Sequence, residues 1–182
     1  DAITRAVYVK LFEWIVKAVN ATLSTGGEDA DSRFVGLLDV FGFESLSQNG
    51  LEQICINLAN ERLHALFLGN VFQGIPPSQL KILLGGDAGR IDNSACLKML
   101  GDPPSGILHL LDFQCKAPKA SEASFCLAVN TTHADSQFLR TPKVSKASGV
   151  TADENSGFFV RHFAGDVLYT AGSFLELNND TM

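Results

Sequence analysis

The 182-residue sequence predicts a mostly helical α/β fold, and three observations support this prediction. Two long stretches repeat apolar residues at intervals of three or four positions, which is the spacing of one helix face. The short apolar run Phe34–Val40 suits one strand that is buried on both faces of a central sheet. Two apolar segments, Phe158–Phe163 and Val167–Tyr169, flank Ala164-Gly165 and predict a β-hairpin.

The first long helix is predicted over Ala2–Leu23, with Asp1 as its N-cap. Residues at three-four spacing form its apolar face: Ile3, Val7, Leu11, Trp14, Ile15, Ala18 and Val19. The segment Ser24–Ser32 contains the pair Gly26-Gly27, and we expect it to be a surface loop.

The second long helix is predicted over Gly50–Phe72. Its broad apolar face comprises Leu51, Ile54, Cys55, Leu58, Leu63, Leu66 and Phe67. Charged residues of the same helix are expected on its solvated face, namely Glu52, Glu61 and Arg62. We expect Cys55 to be buried and unreactive. Gly74 and Pro76-Pro77 predict that the helix ends within about two residues of Gln73, because proline lacks a backbone donor and clashes with the preceding turn.

The remaining segments predict shorter elements. Short helices are expected at Ser78–Leu84, Ser94–Leu100, Ser105–Leu111 and Ser121–Val129. Between His133 and Gly157 the sequence is rich in Ser, Thr, Asp and Lys, which predicts a loop. After the hairpin, Phe174–Glu176 is expected to enter a further helix.

Composition limits the possible functions. The net charge of −6 argues against a nucleic-acid-binding protein, since such proteins normally carry a basic face. No stretch reaches the roughly 20 apolar residues of a membrane span. The four cysteines show no C-x-x-C spacing, which favours a reducing compartment over a disulfide framework or a zinc finger. The chain starts at Asp1, within a helical pattern, so we expect it to be a fragment.

The candidate site lies at the end of the predicted strand. Asp39 is placed where open α/β sheets bring ligand contacts, and in P-loop NTPases a carboxylate there supports Mg²⁺. Gly42, expected in a tight turn, allows the backbone to approach a phosphate, and Glu44 can pair with an arginine or orient water. On this pattern alone, an aspartate in a strand-ending turn without catalytic function is the preferred interpretation.

The neighbouring sequence changes that preference. Asp39-Val40-Phe41-Gly42-Phe43-Glu44 resembles the switch II motif of myosin, Asp-Ile-x-Gly-Phe-Glu. The segment Asn49–Leu63 that follows resembles the start of the myosin relay helix, N-S-F-E-Q-x-C-I-N-Y-A-N-E-K-L. Ten of its residues match in register: Asn49, Glu52, Gln53, Cys55, Ile56, Asn57, Ala59, Asn60, Glu61 and Leu63.

Further similarities extend along the chain. Four segments resemble myosin motor-domain motifs: Pro104–Asp112, Pro118–Phe125, His162–Tyr169 and Phe174–Asp180. The resemblance implies that residues 1–182 form part of one motor domain of the P-loop NTPase class. Its parts are then a long helix and loop (1–33), a strand with switch II (34–44), the relay helix (45–73), lower 50 kDa helices and loops (74–157), and a hairpin with the start of a further helix (158–182).

The resemblance also implies roles for single residues. Asp39 would support Mg²⁺ through water, the backbone N–H of Gly42 would bind the γ-phosphate of ATP, and Glu44 would pair with a switch I arginine and order the attacking water. The implied partners are the actin filament, the remainder of the heavy chain, and light chains or calmodulin on a neck outside these residues. The implied location is the cytoplasm, in a cytoskeletal myosin complex.

The sequence also departs from the family pattern. The relay continuation L-E-Q-E-E-Y is missing after Phe72-Gln73, and Asp112–Cys115 replaces the usual D-E-E-C. No G-x-x-x-x-G-K-[ST] phosphate loop occurs, so these residues alone are not expected to hydrolyse ATP. Three interpretations follow: part of an actin-activated ATPase motor of divergent unconventional type, a degenerate myosin-like actin-binding or scaffold protein without productive motility, or an unrelated P-loop NTPase. The register of the relay motif argues against the third.

Overall fold

The computed structural model describes residues 2–23, 38–72, 74–76, 78–79, 82, 92–145, 150 and 152–180. The chain divides into two compact units, residues 1–39 and residues 40–182, and each unit is described by itself.

The first unit contains helix α1, Ala2–Leu23, which confirms the predicted helix and its length. The side chains of its predicted apolar face are exposed, including that of Trp14, which is 67% exposed. The proposed N-cap Asp1 and the loop Ser24–Ser32 lie outside the described residues.

The prediction of a buried strand at Phe34–Val40 is wrong for the part that is described. Leu38, Asp39 and Val40 lie in no strand, and Leu38 is 74% exposed. A strand buried on both faces needs paired neighbours, and none of the described residues pairs with this segment. Residues 34–37 lie outside the described residues.

Helix α2, Leu51–Val71, is the longest element of the second unit. Gly50 is its N-cap, and the Gly50 N–H donates to Gln53 Oε1 at 2.9 Å. The helix closes at its C-cap Phe72, which confirms the predicted stop. Gly74 follows with φ of +88°, a left-handed conformation that is available to glycine at little cost and that turns the chain out of the helix.

From residue 92 onwards, the described residues form four shorter helices: α3 (Ser94–Gly101), α4 (Ile107–Lys116), α5 (Glu122–Thr132) and α6 (Phe174–Asp180). All four confirm predicted helical segments. At the start of α5, Ser121 and Ser124 cap each other's backbone N–H groups. Of the predicted helix Ser78–Leu84, only Ser78, Gln79 and Ile82 are described, and all three are helical.

The sheet has three antiparallel strands in the order β1 (Leu139–Arg140), β2 (Gly157–His162) and β3 (Gly165–Thr170). Strands β2 and β3 form the predicted hairpin, with Val160 opposite Val167. Strand β1 corrects the prediction of a continuous loop over His133–Gly157. It pairs with β2, and the Arg140 guanidinium lies 3.8 Å from the centre of the Phe159 ring.

The core of the second unit lies between the hairpin and helices α2 to α6. The rings of Phe125, Phe158, Tyr169 and Phe174 are fully buried and contact one another. The first half of α2 contributes Ile54 and Leu58 to this core. Its second half does not, since Leu66 and Phe67 of the predicted apolar face are exposed. None of the described helices is long and apolar enough to cross a membrane.

Candidate functional site

The three residues predicted for the nucleotide site fall in different units. Asp39 lies at the end of the first unit and is exposed. Gly42 and Glu44 lie in the second unit, where Gly42 is exposed and Glu44 is half-buried. The prediction of a tight turn at Gly42 is wrong: the described residues show the first bend at Ser47-Gln48, because Asn49 Oδ1 accepts the Leu46 N–H there.

Glu44 is held on the surface of α2 by hydrogen bonds to its backbone and its side chain. Asn57 Oδ1 accepts the Glu44 N–H at 2.8 Å, and Asn57 Nδ2 donates to the Glu44 carbonyl oxygen at 2.7 Å. Gln53 Nε2 donates to Glu44 Oε2 at 3.2 Å. One turn beyond Asn57, Asn60 Nδ2 donates to the carbonyl oxygen of Phe41 at 3.0 Å. Three amide side chains of one helix therefore fix residues 41–44.

Asn57 also connects this segment to the hairpin. Its Nδ2 donates to Tyr169 Oη at 2.8 Å, and Tyr169 Oη lies 2.8 Å from His162 Nε2. Asn57, Tyr169 and His162 are all buried. The ring of Phe43 adds an apolar contact, since it meets the edges of the His162 and Phe163 rings at centroid distances of 5.3 and 5.7 Å.

The chain of hydrogen bonds ends at a buried carboxylate. His162 Nδ1 lies 2.9 Å from Glu61 Oε1, and the Phe163 N–H donates to the same oxygen at 3.0 Å. Asn93 Nδ2 donates to Glu61 Oε2 and, at 2.8 Å, to the Glu61 carbonyl oxygen. The prediction that Glu61 belongs to the solvated face of α2 is therefore wrong, because it is 0% exposed. Glu52 and Arg62 are exposed as predicted.

The directions of these hydrogen bonds are mutually consistent. An ionised carboxylate only accepts, so His162 Nδ1 carries a hydrogen and donates it to Glu61. Tyr169 Oη accepts from Asn57 and donates to His162 Nε2. Among the described residues, no buried side-chain nitrogen or oxygen lacks a partner. The network therefore offers each buried polar group the partner that its removal from water requires.

Opposing effects set the pKa of the Glu61 carboxyl. Burial raises the pKa, but the hydrogen bonds from His162, Asn93 and the Phe163 N–H favour the charged form and together hold it below the ordinary value. Burial likewise raises the pKa of the Tyr169 hydroxyl, which keeps the phenol protonated as a donor.

A cysteine lies beside the same carboxylate. Cys96 of α3 is buried, and its Sγ lies 3.8 Å from Glu61 Oε1 and 3.6 Å from the carbonyl oxygen of Arg161. Burial and the neighbouring Glu61 raise the pKa of the Cys96 thiol well above its usual range. Cys55 is exposed, so the prediction that it is buried is wrong.

One groove of the second unit does not include residues 41–44. It has a volume of about 960 Å³ and lies at the N-terminal ends of α2 and α5. Glu52 and Glu122 contribute to its lining, whereas Gly42 and Glu44 do not. The described groove is therefore separate from the candidate nucleotide contacts.

The sequence interpretation missed Glu61, Asn57 and Asn93 as members of a network, although one signal was available. Ile54, Leu58 and Glu61 follow one another at spacings of four and three residues, which places Glu61 on the buried stripe of α2. A charged residue on such a stripe needs a compensating partner. Its partner His162 lies 101 residues away, so no local pattern identifies it.

The Glu61→Gln variant tests the buried carboxylate. We expect a loss of about 1.5–3 kcal/mol in the free energy of unfolding at neutral pH, the usual contribution of a hydrogen bond to a charged group. The matched variant Glu52→Gln, on the exposed face of the same helix, should change it by less than about 0.5 kcal/mol. Thermal and chemical denaturation, followed by intrinsic fluorescence, provide the measurement.

The loss of stability in the Glu61→Gln variant should depend on pH. The pKa of Glu61 is depressed in the folded state, so its contribution is fully present above the ordinary glutamate pKa of about 4.3 and is lost as the pH falls through the lower folded value. The stability difference between Glu61→Gln and the unsubstituted protein should therefore narrow below about pH 4.3. A difference that stays constant down to the acid transition would contradict the depressed pKa.

Comparison with known proteins places the sequence in a family. The family model for the myosin head (motor domain) matches residues 1–182. The chain is 35% identical to unconventional myosin-Vb of Mus musculus over 183 residues, which cover 100% of the chain and 9% of that protein. It is 35% identical to unconventional myosin-VI of Bos taurus, with coverage of 100% and 14%, and 35% identical to Myosin-14 of Arabidopsis thaliana, with coverage of 99% and 11%. The chain thus spans about a tenth of the length of these relatives. The chain belongs to the myosin head (motor domain) family.

Proposed function

We propose that this chain is the switch II and relay portion of an actin-based motor that hydrolyses ATP. The observation that supports it best is the attachment of residues 41–44 to α2 through Asn57, Asn60 and Gln53. A segment that touches a nucleotide can transmit its movement only if it is joined to an element that moves as a unit. A helix of 21 residues, about 30 Å long, is such an element.

The proposed chemistry relies on position and charge. ATP and Mg²⁺ are held mainly by a phosphate loop and switch I contributed by the rest of a P-loop NTPase head. Asp39 supports Mg²⁺ through water, and the Gly42 N–H binds the γ-phosphate. Among the described residues, nothing lies within 4 Å of the position that a Cβ on Gly42 would take, so the backbone is open to approach.

Glu44 is the proposed ordering residue for the attacking water. Gln53 occupies its Oε2, and the carboxylate's remaining acceptor positions suit a switch I arginine and the water. Both contacts strengthen as the site closes, so they act on the rate of hydrolysis more than on the affinity for ATP.

The proposed partners follow from the family. The actin filament is expected at α4 and α5. Phe113 of α4 is 70% exposed, and two exposed lysines follow it: Lys116, the last residue of α4, and Lys119, in the turn after the helix. Light chains or calmodulin belong to a neck outside these residues. The alternative is a myosin-like scaffold without productive motility. This alternative is drawn from the early end of α2 at Phe72.

Replacement of Glu44 by alanine in the complete motor tests the proposed role in hydrolysis. We expect the hydrolysis step to slow by about 10²–10³, the usual effect of removing one preorganised electrostatic group, while ATP binding and ATP-induced release from actin persist. Single-turnover quench flow and binding of a fluorescent ATP analogue measure the two effects.

The exposed Glu52, eight residues further along, is the matched control, and Glu52→Ala should leave both rates unchanged. If Glu44→Ala hydrolyses ATP at the unsubstituted rate, the switch II assignment is wrong and the scaffold interpretation becomes the better one.

Replacement of Asn57 by alanine tests the attachment of the segment to α2. It removes both hydrogen bonds to the Glu44 backbone and the hydrogen bond to Tyr169. When residues 41–44 close on the nucleotide, α2 should therefore no longer move together with them. We expect the filament gliding distance per ATP hydrolysed to fall at least about fivefold, the lower end of typical coupling between sites. Asn70→Ala is the control, because Asn70 Nδ2 makes a hydrogen bond within the helix, to the Leu66 carbonyl oxygen. Unchanged gliding in a folded Asn57→Ala motor would refute the coupling.

A further inference from the structure

Glu61, Cys96 and His162 bring three different metal-binding donors together inside the second unit. They come from α2, α3 and β2, and all three residues are buried. Glu61 Oε1, Cys96 Sγ and His162 Nδ1 all lie within 4.8 Å of one another. This group takes no part in the proposed hydrolysis of ATP. Among the described residues, it is the group of His, Cys, Asp or Glu side chains that lie close enough together to hold a metal ion.

The distances suit a small divalent cation. Tetrahedral Zn²⁺, with bonds of about 2.0–2.1 Å to nitrogen and oxygen and about 2.3 Å to sulfur, separates its donors by about 3.3–3.6 Å. The observed separations are 2.9 Å from Nδ1 to Oε1 and 3.8 Å from Sγ to Oε1. These two edges therefore each have to change by only a few tenths of an ångström, and the third edge, from Sγ to Nδ1, is at most 4.8 Å. The carbonyl oxygen of Arg161, 3.6 Å from Sγ, offers a fourth donor.

The donors are already oriented by a second layer of hydrogen bonds. Tyr169 Oη contacts the other ring nitrogen of His162 at 2.8 Å, and Asn93 holds the other carboxylate oxygen of Glu61. Such partners fix the rotamers of metal-binding side chains. Glu61 Oε1 can keep the Phe163 N–H and still offer a lone pair to a cation.

The balance of charge favours a divalent cation. With a protonated thiol and a neutral imidazole, the buried group carries one negative charge, that of Glu61. On binding, the Cys96 thiol releases its proton to solvent, and the imidazole hydrogen moves from Nδ1 to Nε2. Nε2 then donates to Tyr169 Oη, and the Tyr169 O–H, which donated to Nε2 before, has to rotate away from His162. One cation, one carboxylate and one thiolate then sum to zero, so binding replaces a buried net charge with a neutral group.

We propose that Glu61, Cys96 and His162 form a buried binding site for a borderline divalent cation of the Zn²⁺ type, which ties α2, α3 and the hairpin together. The mixture of oxygen, sulfur and nitrogen donors selects such an ion over Mg²⁺ or Ca²⁺, which prefer oxygen alone. The site is separate from the nucleotide contacts, and its occupancy does not depend on ATP hydrolysis.

Co²⁺ is the probe, because a thiolate bound to Co²⁺ produces a near-ultraviolet charge-transfer band. The complete motor, freed of metal and nucleotide and equilibrated with Co²⁺, should develop this band, release about one proton per ion, and lose the band when Zn²⁺ is added. Cys96→Ser should lack the band and bind Co²⁺ at least about 100-fold more weakly. Cys126→Ser, which replaces another buried cysteine, should retain both.

Melting temperature supplies a second readout. Zn²⁺ should raise the melting temperature of the unsubstituted protein and of Cys126→Ser, but not that of Cys96→Ser. If Cys96→Ser fails to melt cooperatively, Cys96→Ala takes its place. The proposal is overturned if the unsubstituted protein shows no thiolate band, or if the band persists without Cys96. In either case the three residues form a hydrogen-bonded network only.

Discussion

The buried carboxylate of Glu61 is the constraint on which the second unit depends. A charge removed from water is expensive unless donors surround it, and here His162, the Phe163 N–H and Asn93 supply them. These donors come from the hairpin and from the residue that precedes α3, so the requirement of one side chain fixes three elements at once. The apolar core around Phe158 and Tyr169 adds stability, but packing alone does not specify which residue of α2 faces the hairpin.

The orientation of α2 about its axis then determines which of its side chains contact residues 41–44. Asn57 lies four residues before Glu61 on the same buried face, so the anchor also sets the position of the Asn57 amide. That amide holds both backbone groups of Glu44 and touches Tyr169. Residues 41–44, the helix and the hairpin are therefore joined by directed hydrogen bonds, and a movement of one has to be accommodated by the other two. A bound cation at Glu61, Cys96 and His162 would strengthen the same junction.

Much of this architecture could be predicted from local sequence. Apolar periodicity located α1, α2 and the hairpin, and Gly74 with the prolines that follow located the end of α2, because these depend on neighbouring residues. The burial and the partners of polar residues on the core-facing side of a helix could not be predicted in the same way. Glu61 was assigned to solvent because its compensating partner is far away in sequence. Leu66 and Phe67 belong to the predicted apolar face of α2 and are nevertheless exposed. Periodicity identifies an apolar face, but it does not show whether another element covers that face. The site residues Asp39, Gly42 and Glu44 came from family resemblance, since an aspartate and a glycine near a strand end are too common to indicate a function by themselves.

A double-mutant cycle between Glu61 and His162 tests the central claim most directly, because it isolates the pair from the packing of either residue. The free energy of unfolding is measured for the unsubstituted protein, Glu61→Gln, His162→Gln and the double variant, with a chelator present so that no metal contributes. A charge-assisted buried hydrogen bond should give a coupling energy of about 1.5–3 kcal/mol, with the double variant less destabilised than the sum of the two single variants. If the two losses add within about 0.5 kcal/mol, Glu61 and His162 act independently, and the buried carboxylate does not join α2 to the hairpin.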